Sequence, residues 1–284
     1  NSYLKQKKKH KIMAVTMADI SKLRTMTGAG MMDCKNALNE AEGNFDKAIE
    51  IIRKKGQAIA AKRSDREASE GCVLAGVKDG FAAIVALKCE TDFVAKNADF
   101  IALTQLILDT TLANKPANLD ALNALAIDGR TIAELVTDRS GVTGEKMEIG
   151  YYEFVEGATV VEYIHPGNKL ATIVAFAEAG VDHQVGRDVA MQVAAMNPVA
   201  LNRDAVPADI IAKELEIGRE KAREEGKPEA ILDRIAQGRL DKFFKESTLV
   251  EQEFIKDNKM TVGAYTKANN ATPTAFKRVT LNQD

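Results

Sequence analysis

Residues 72–89 read Cys-Val-Leu-Ala-Gly-Val-Lys-Asp-Gly-Phe-Ala-Ala-Ile-Val-Ala-Leu-Lys-Cys. Two β-type apolar runs, 72–77 and 81–89, flank Lys78-Asp79-Gly80. An Asp-Gly pair between such runs predicts a β-hairpin. A helix follows, with Phe100, Leu103, Ile107 and Leu108 on one face, and ends before Pro116. The same order recurs about ninety residues later. Residues 159–164 read as a strand, His165-Pro166-Gly167-Asn168 as a turn, and 170–177 as a strand. A helix over 182–196 then carries Val185, Val189, Val193 and Met196. Hairpin, loop and helix thus occur twice, which predicts two related subdomains of an α+β fold. The intervening residues 117–150 read as mostly helical.

Upstream the periodicity is helical. Thr16 with Asp19 has the form of a capping box, and Ile20 and Leu23 begin an apolar stripe. Thr27-Gly28-Ala29-Gly30 closes that helix. A second helix carries Cys34, Ala37, Leu38 and Ala41, and a third carries Phe45, Ala48, Ile49 and Ile52. Residues 13–56 are therefore expected as a three-helix module and 57–70 as a charged linker. Core subdomain one is assigned to 71–156. Core subdomain two is assigned to 157–206 and 247–284. Residues 207–246, broken at Gly226-Lys227-Pro228, read as an inserted αα-hairpin with a polar outer face.

The net charge is -2, and the first twelve residues hold five lysines and no acid, so the remainder carries -7. An acidic body excludes sequence-independent nucleic-acid binding as a leading function. Residues 1–12 are read as a disordered basic tail. No apolar run is long enough to span a bilayer. Three cysteines, Cys34, Cys72 and Cys89, lie in apolar or periodic segments without paired spacing, which suits reduced thiols in a cytoplasmic protein.

The chemistry expected of an enzyme is missing from the pattern. There is no phosphate-binding glycine loop, no Rossmann fingerprint and no nucleophile elbow. His10, His165 and His183 have no metal-ligand spacing. No catalytic residue, metal site or cofactor is expected. Two segments draw attention instead. Met31 and Met32 follow the turn at Gly28–Gly30, and adjacent helix residues point about 100° apart, so one narrow core stripe cannot take both. In Thr91-Asp92-Phe93-Val94, Phe93 either packs into the core behind a turn capped by Asp92 or is presented as an apolar wedge. The residues alone leave both readings open.

Several of these segments together resemble the elongation factor Ts family. They are Leu23-Arg24; Thr27-Gly28-Ala29-Gly30-Met31-Met32-Asp33-Cys34-Lys35 with Ala37-Leu38; and Thr91-Asp92-Phe93-Val94-Ala95. Met191-Gln192-Val193-Ala194-Ala195-Met196-Asn197-Pro198, Gly226-Lys227-Pro228 and Lys242-Phe243-Phe244 follow in order. The resemblance implies a ubiquitin-associated-like three-helix module and a two-subdomain α+β core with an inserted αα-hairpin. It implies a bacterial cytoplasmic exchange factor that binds elongation factor Tu, GDP-bound and nucleotide-free, with no direct nucleic-acid or membrane partner. By that likeness Asp92 and Phe93 disturb the groups holding the partner's Mg²⁺, Thr91 and Val94 frame them, and Met31 and Met32 lie in the module's contact. At Gln192 some members carry His; a proton-switched role does not carry over, and the position stands as a candidate partner contact. The competing reading is a ubiquitin-like or nascent-chain interaction module without exchange activity.

Overall fold

The computed structural model describes residues 15–282. The basic segment 1–12 lies outside them. Three helices open the described chain: α1 (Met17–Thr27), α2 (Met31–Glu40) and α3 (Phe45–Lys62). Thr16 and Asp19 form the reciprocal capping box, and Gly28 ends α1 at φ 71°, a left-handed value that glycine adopts without strain. Ile20, Leu23, Cys34, Ala37, Leu38, Ala41 and Ala48 bury one another in a small core of their own. Helix α3 runs on through Lys62, into the stretch expected as a linker. Its Gly56 is buried against Gly141 of the core.

The hairpin follows as β1 (Glu70–Lys78) and β2 (Phe81–Cys89), paired antiparallel with Lys78 opposite Phe81. Asp79 and Gly80 both take positive φ, which matches the right-handed twist of the strands. Next come α4 (Asp92–Ala95), α5 (Ala98–Asn114), α6 (Leu119–Asn123), the short pair β3 (Ala126–Ile127) and β4 (Arg130–Thr131), α7 (Ile132–Thr143) and β5 (Glu148–Glu156). Strand β5 pairs with β2 and completes a three-stranded sheet, β1-β2-β5. Residues 117–150, expected as mostly helical, thus also hold a small β-pair and the start of a strand. A bulge opposite Ala86 and Leu87 breaks the inside–outside alternation of β5 and hides it from a period-two reading.

The second subdomain contains β6 (Thr159–Ile164), β7 (Leu170–Phe176) and α8 (His183–Met196). Helices α9 (Ala208–Glu224) and α10 (Glu229–Ser247) form the hairpin, followed by β8 (Glu253–Phe254), β9 (Asp257–Thr261), α11 (Val262–Ala268) and β10 (Pro273–Thr280). Its sheet has the order β10-β7-β6.

The two sheets stack face to face. Val73, Ala75, Ala82, Ile84 and Ala86 of the first meet Ala171, Ile173, Ala175 and Val279 of the second. The opposite face of β2, with Phe81, Ala83, Val85 and Leu87, packs on Phe100, Ile107 and Leu108 of α5. The opposite face of β7, with Leu170, Val174 and Phe176, packs on Val185, Val189 and Val193 of α8. The order of layers is helix, sheet, sheet, helix. Strands β2 and β7 are buried on both sides, which is why they read as continuous apolar runs. No helix of the described residues is long and apolar enough to cross a membrane.

Candidate functional site

Strand β2 ends at Cys89 and the chain must leave the sheet edge. Cys89 is enclosed, and its thiol donates to the Thr91 carbonyl at 3.3 Å. Burial, with the nearby Glu145 and Glu70 charges, pushes that thiol up to about 12, so it stays protonated as the donor. Thr91 then serves as N-cap of α4, its hydroxyl accepting from the Val94 amide at 3.4 Å. The same hydroxyl donates to Glu145 at 2.6 Å, and the Glu145 carboxylate also accepts the Glu90 and Thr91 amides at 3.1 Å each. In return the Glu90 carboxylate accepts the Lys146 amide at 2.7 Å and pairs with Arg63 at 3.2 Å. Two carboxylates thus lace the segment before α4 to the segment after α7.

This lacing puts one helical turn at the surface, and Phe93 stands on it 84% exposed. The reading in which Phe93 packs into the core is therefore wrong. Val94 leans on the first core and Ala95 is buried, which anchors the turn behind Phe93. Asp92 does not cap the turn; Thr91 does. Asp92 pairs with Lys96 at 2.7 Å, and the Lys96 ammonium holds its carboxyl below the ordinary 3.8. Beyond the turn, Asn97 caps α5.

The second segment is similarly bare. Met31 and Met32 are 43% and 64% exposed at the start of α2, where Gly30 supplies no side-chain cap. Asp33 beside them pairs with Lys55 of α3.

Gln192 is a correction. It is fully buried: its Oε1 accepts the Ile255 amide at 2.9 Å and its Nε2 donates to the Glu253 carbonyl at 3.0 Å. A side chain so enclosed does not touch a partner. It ties α8 to the β8–β9 hairpin. Met196, expected on the apolar face of α8, is instead 44% exposed. Among the described residues no group of three or more His, Cys, Asp or Glu is placed to hold a metal ion. Glu145 and Arg63 escaped the sequence reading, because a surface Glu and a surface Arg carry no pattern of their own.

A family model described as Elongation factor TS matches residues 90–283. The chain belongs to the elongation factor Ts family. Elongation factor Ts of Porphyromonas gingivalis is 65% identical over 275 residues, covering 96% of this chain and 100% of that protein. That of Azobacteroides pseudotrichonymphae is 58% identical over 274 residues, with 96% and 100% covered. That of Flavobacterium psychrophilum is 50% identical over 272 residues, with 94% and 98% covered. Membership makes the chain a translation elongation factor of the nucleotide-exchange kind, with elongation factor Tu as the implied partner.

Proposed function

We propose that this protein grips elongation factor Tu at two places and accelerates GDP release, working in the bacterial cytoplasm. The three-helix module binds through Met31 and Met32. The core inserts Phe93 toward the nucleotide site, and Asp92 disturbs the groups that hold Mg²⁺ there. The observation that carries this reading is the 84% exposure of Phe93 on a turn braced from behind. An apolar ring held out into water at a fixed place suits a pocket in a partner. A ubiquitin-like or nascent-chain binder built on the module alone leaves that ring without a role.

Exchange requires that the factor favour the empty GTPase, and the coupling is reciprocal. Burying one Phe contributes about 1.5–3 kcal/mol, or about 10- to 150-fold. Large accelerations therefore draw on the methionine contact and on Mg²⁺ loss as well. The test is release of labelled GDP from elongation factor Tu with substoichiometric protein. Multiple-turnover acceleration is expected, and release at the uncatalysed rate overturns the reading.

A further inference from the structure

The two contact turns lie about sixty residues apart in sequence, on separate cores. The Arg139 side chain approaches both of them. Arg139 of α7 donates from Nη2 to Asn97 Oδ1 at 3.0 Å and pairs with Asp99 at 3.3 Å. Both acceptors lie at the start of α5, directly after the turn that carries Phe93. On its other side, Arg139 Nη1 lies 3.5 Å from where a Cβ on Gly28 would stand. Gly28 opens the turn that leads to Met31 and Met32. Only 15% of the Arg139 side chain is exposed, and its buried Nε has no hydrogen-bond partner. Burying part of a guanidinium without a partner is costly, so packing alone does not account for an arginine here.

The helix that carries Arg139 is itself fixed on both flanks. Two residues on, Gly141 abuts Gly56 of α3 in the three-helix module. At its C-terminal end, Ser140 donates to the Glu145 carbonyl, and Glu145 holds the amides of Glu90 and Thr91. Helix α7 therefore reaches both ends of the Phe93 turn and the back of the methionine turn.

We propose that Arg139 is a positioning residue that sets the distance and angle between the Met31–Met32 turn and the Asp92–Phe93 turn. This rests on the two-place reading above. Two contacts held at the partner's spacing bind as one preorganised surface. Two contacts on loosely related modules bind with the second attachment diluted by its freedom. The guanidinium fork matters as well as the charge: one planar group spans Asn97, Asp99 and the Gly28 turn, and an ammonium presents no such fork.

The experiment measures geometry and exchange in the full chain. The three native cysteines are buried, so cysteines introduced at the exposed Lys47 of α3 and Gln105 of α5 take spin labels selectively. A narrow distance distribution is expected for the otherwise native chain. Arg139→Ala should broaden it and raise the factor concentration for half-maximal GDP release by about tenfold. Release at saturating factor should stay within about twofold, because Phe93 and its turn remain. Arg139→Lys should broaden the distribution in the same direction. Asp99→Asn removes only the charge of an exposed partner and spares the fold; a smaller shift of the same sign is expected from it. An unchanged distribution and half-maximal concentration in all three variants overturns the proposal, as does a fall in saturating rate alone. If the native chain fails to accelerate release, the two-place reading fails, and the distance distributions still decide whether Arg139 sets the geometry.

Discussion

Gly56 of α3 and Gly141 of α7 cross so closely that a Cβ on Gly141 would stand 2.2 Å from the Gly56 Cα. The reverse is milder: a Cβ on Gly56 would lie 3.4 Å from the Gly141 Cα. The same contact thus answers differently from its two sides. Gly141→Ala must push α3 away from α7, at a cost of about 1–3 kcal/mol for an overpacked contact. Gly56→Ala meets ordinary van der Waals distance and gains up to about 1 kcal/mol of helix propensity. Thermal melts should place Gly141→Ala below the native chain and Gly56→Ala level with it or above. Limited proteolysis between the module and β1 should speed up in Gly141→Ala alone. Equal melts for the two variants would remove the asymmetry.

The α+β class was legible because its signals are local. The Thr16–Asp19 capping box, the Asp79-Gly80 turn and the doubly buried run of β2 each lie within a few neighbouring residues. The Gly56–Gly141 crossing was not legible, since a glycine inside a helix reads as a propensity cost and its benefit lies eighty-odd residues away. Strand β5 was missed because its bulge spoils alternation. Gln192 was misplaced for a different reason. It lies three residues beyond Val189 and seven beyond Val185, on the same buried face, but its expectation as a partner contact comes from the family resemblance and not from that spacing. Exposure of Phe93 could not be read from sequence, because the forces that hold it out come from Glu145, more than fifty residues downstream.

Gln192 should act through stability. Gln192→Leu removes the partner of the buried Gln252 Oε1 and of the half-buried Ile255 amide and Glu253 carbonyl. Leaving buried polar groups unpaired costs about 1–3 kcal/mol each. The variant should melt lower, while exchange per folded molecule stays at the native value. A normal melt with slower exchange would return Gln192 to the partner surface.

The thiols should be silent in the folded protein. Burial raises Cys34, takes Cys72 up to about 11 and Cys89 up to about 12. Thiolate, the reactive form, is scarce for such groups near pH 8. An aromatic disulfide reagent should therefore find no fast-reacting thiol in the native chain and three after denaturation. One fast equivalent under native conditions would show a thiol that opens to solvent.

Phe93→Ala is the sharpest test of the wedge. An 84% exposed ring has little intramolecular packing to lose, so the melting temperature should hold. A core Phe would instead cost about 3–5 kcal/mol on truncation. Catalysed GDP release should slow by about 10- to 150-fold, the burial energy withdrawn from the partner's pocket. Asp92→Ala should slow it less. Because Lys96 keeps the Asp92 carboxyl below its ordinary 3.8, the carboxylate is charged throughout the neutral range, and its contribution is lost only in acidic solution. The ratio of native to Asp92→Ala exchange should therefore be flat between about pH 6 and 8. Lys96→Ala should leave that ratio flat too, because the ordinary carboxylate range lies well below about pH 6. A Phe93→Ala protein that exchanges normally while folded would sink the wedge, whatever its melt.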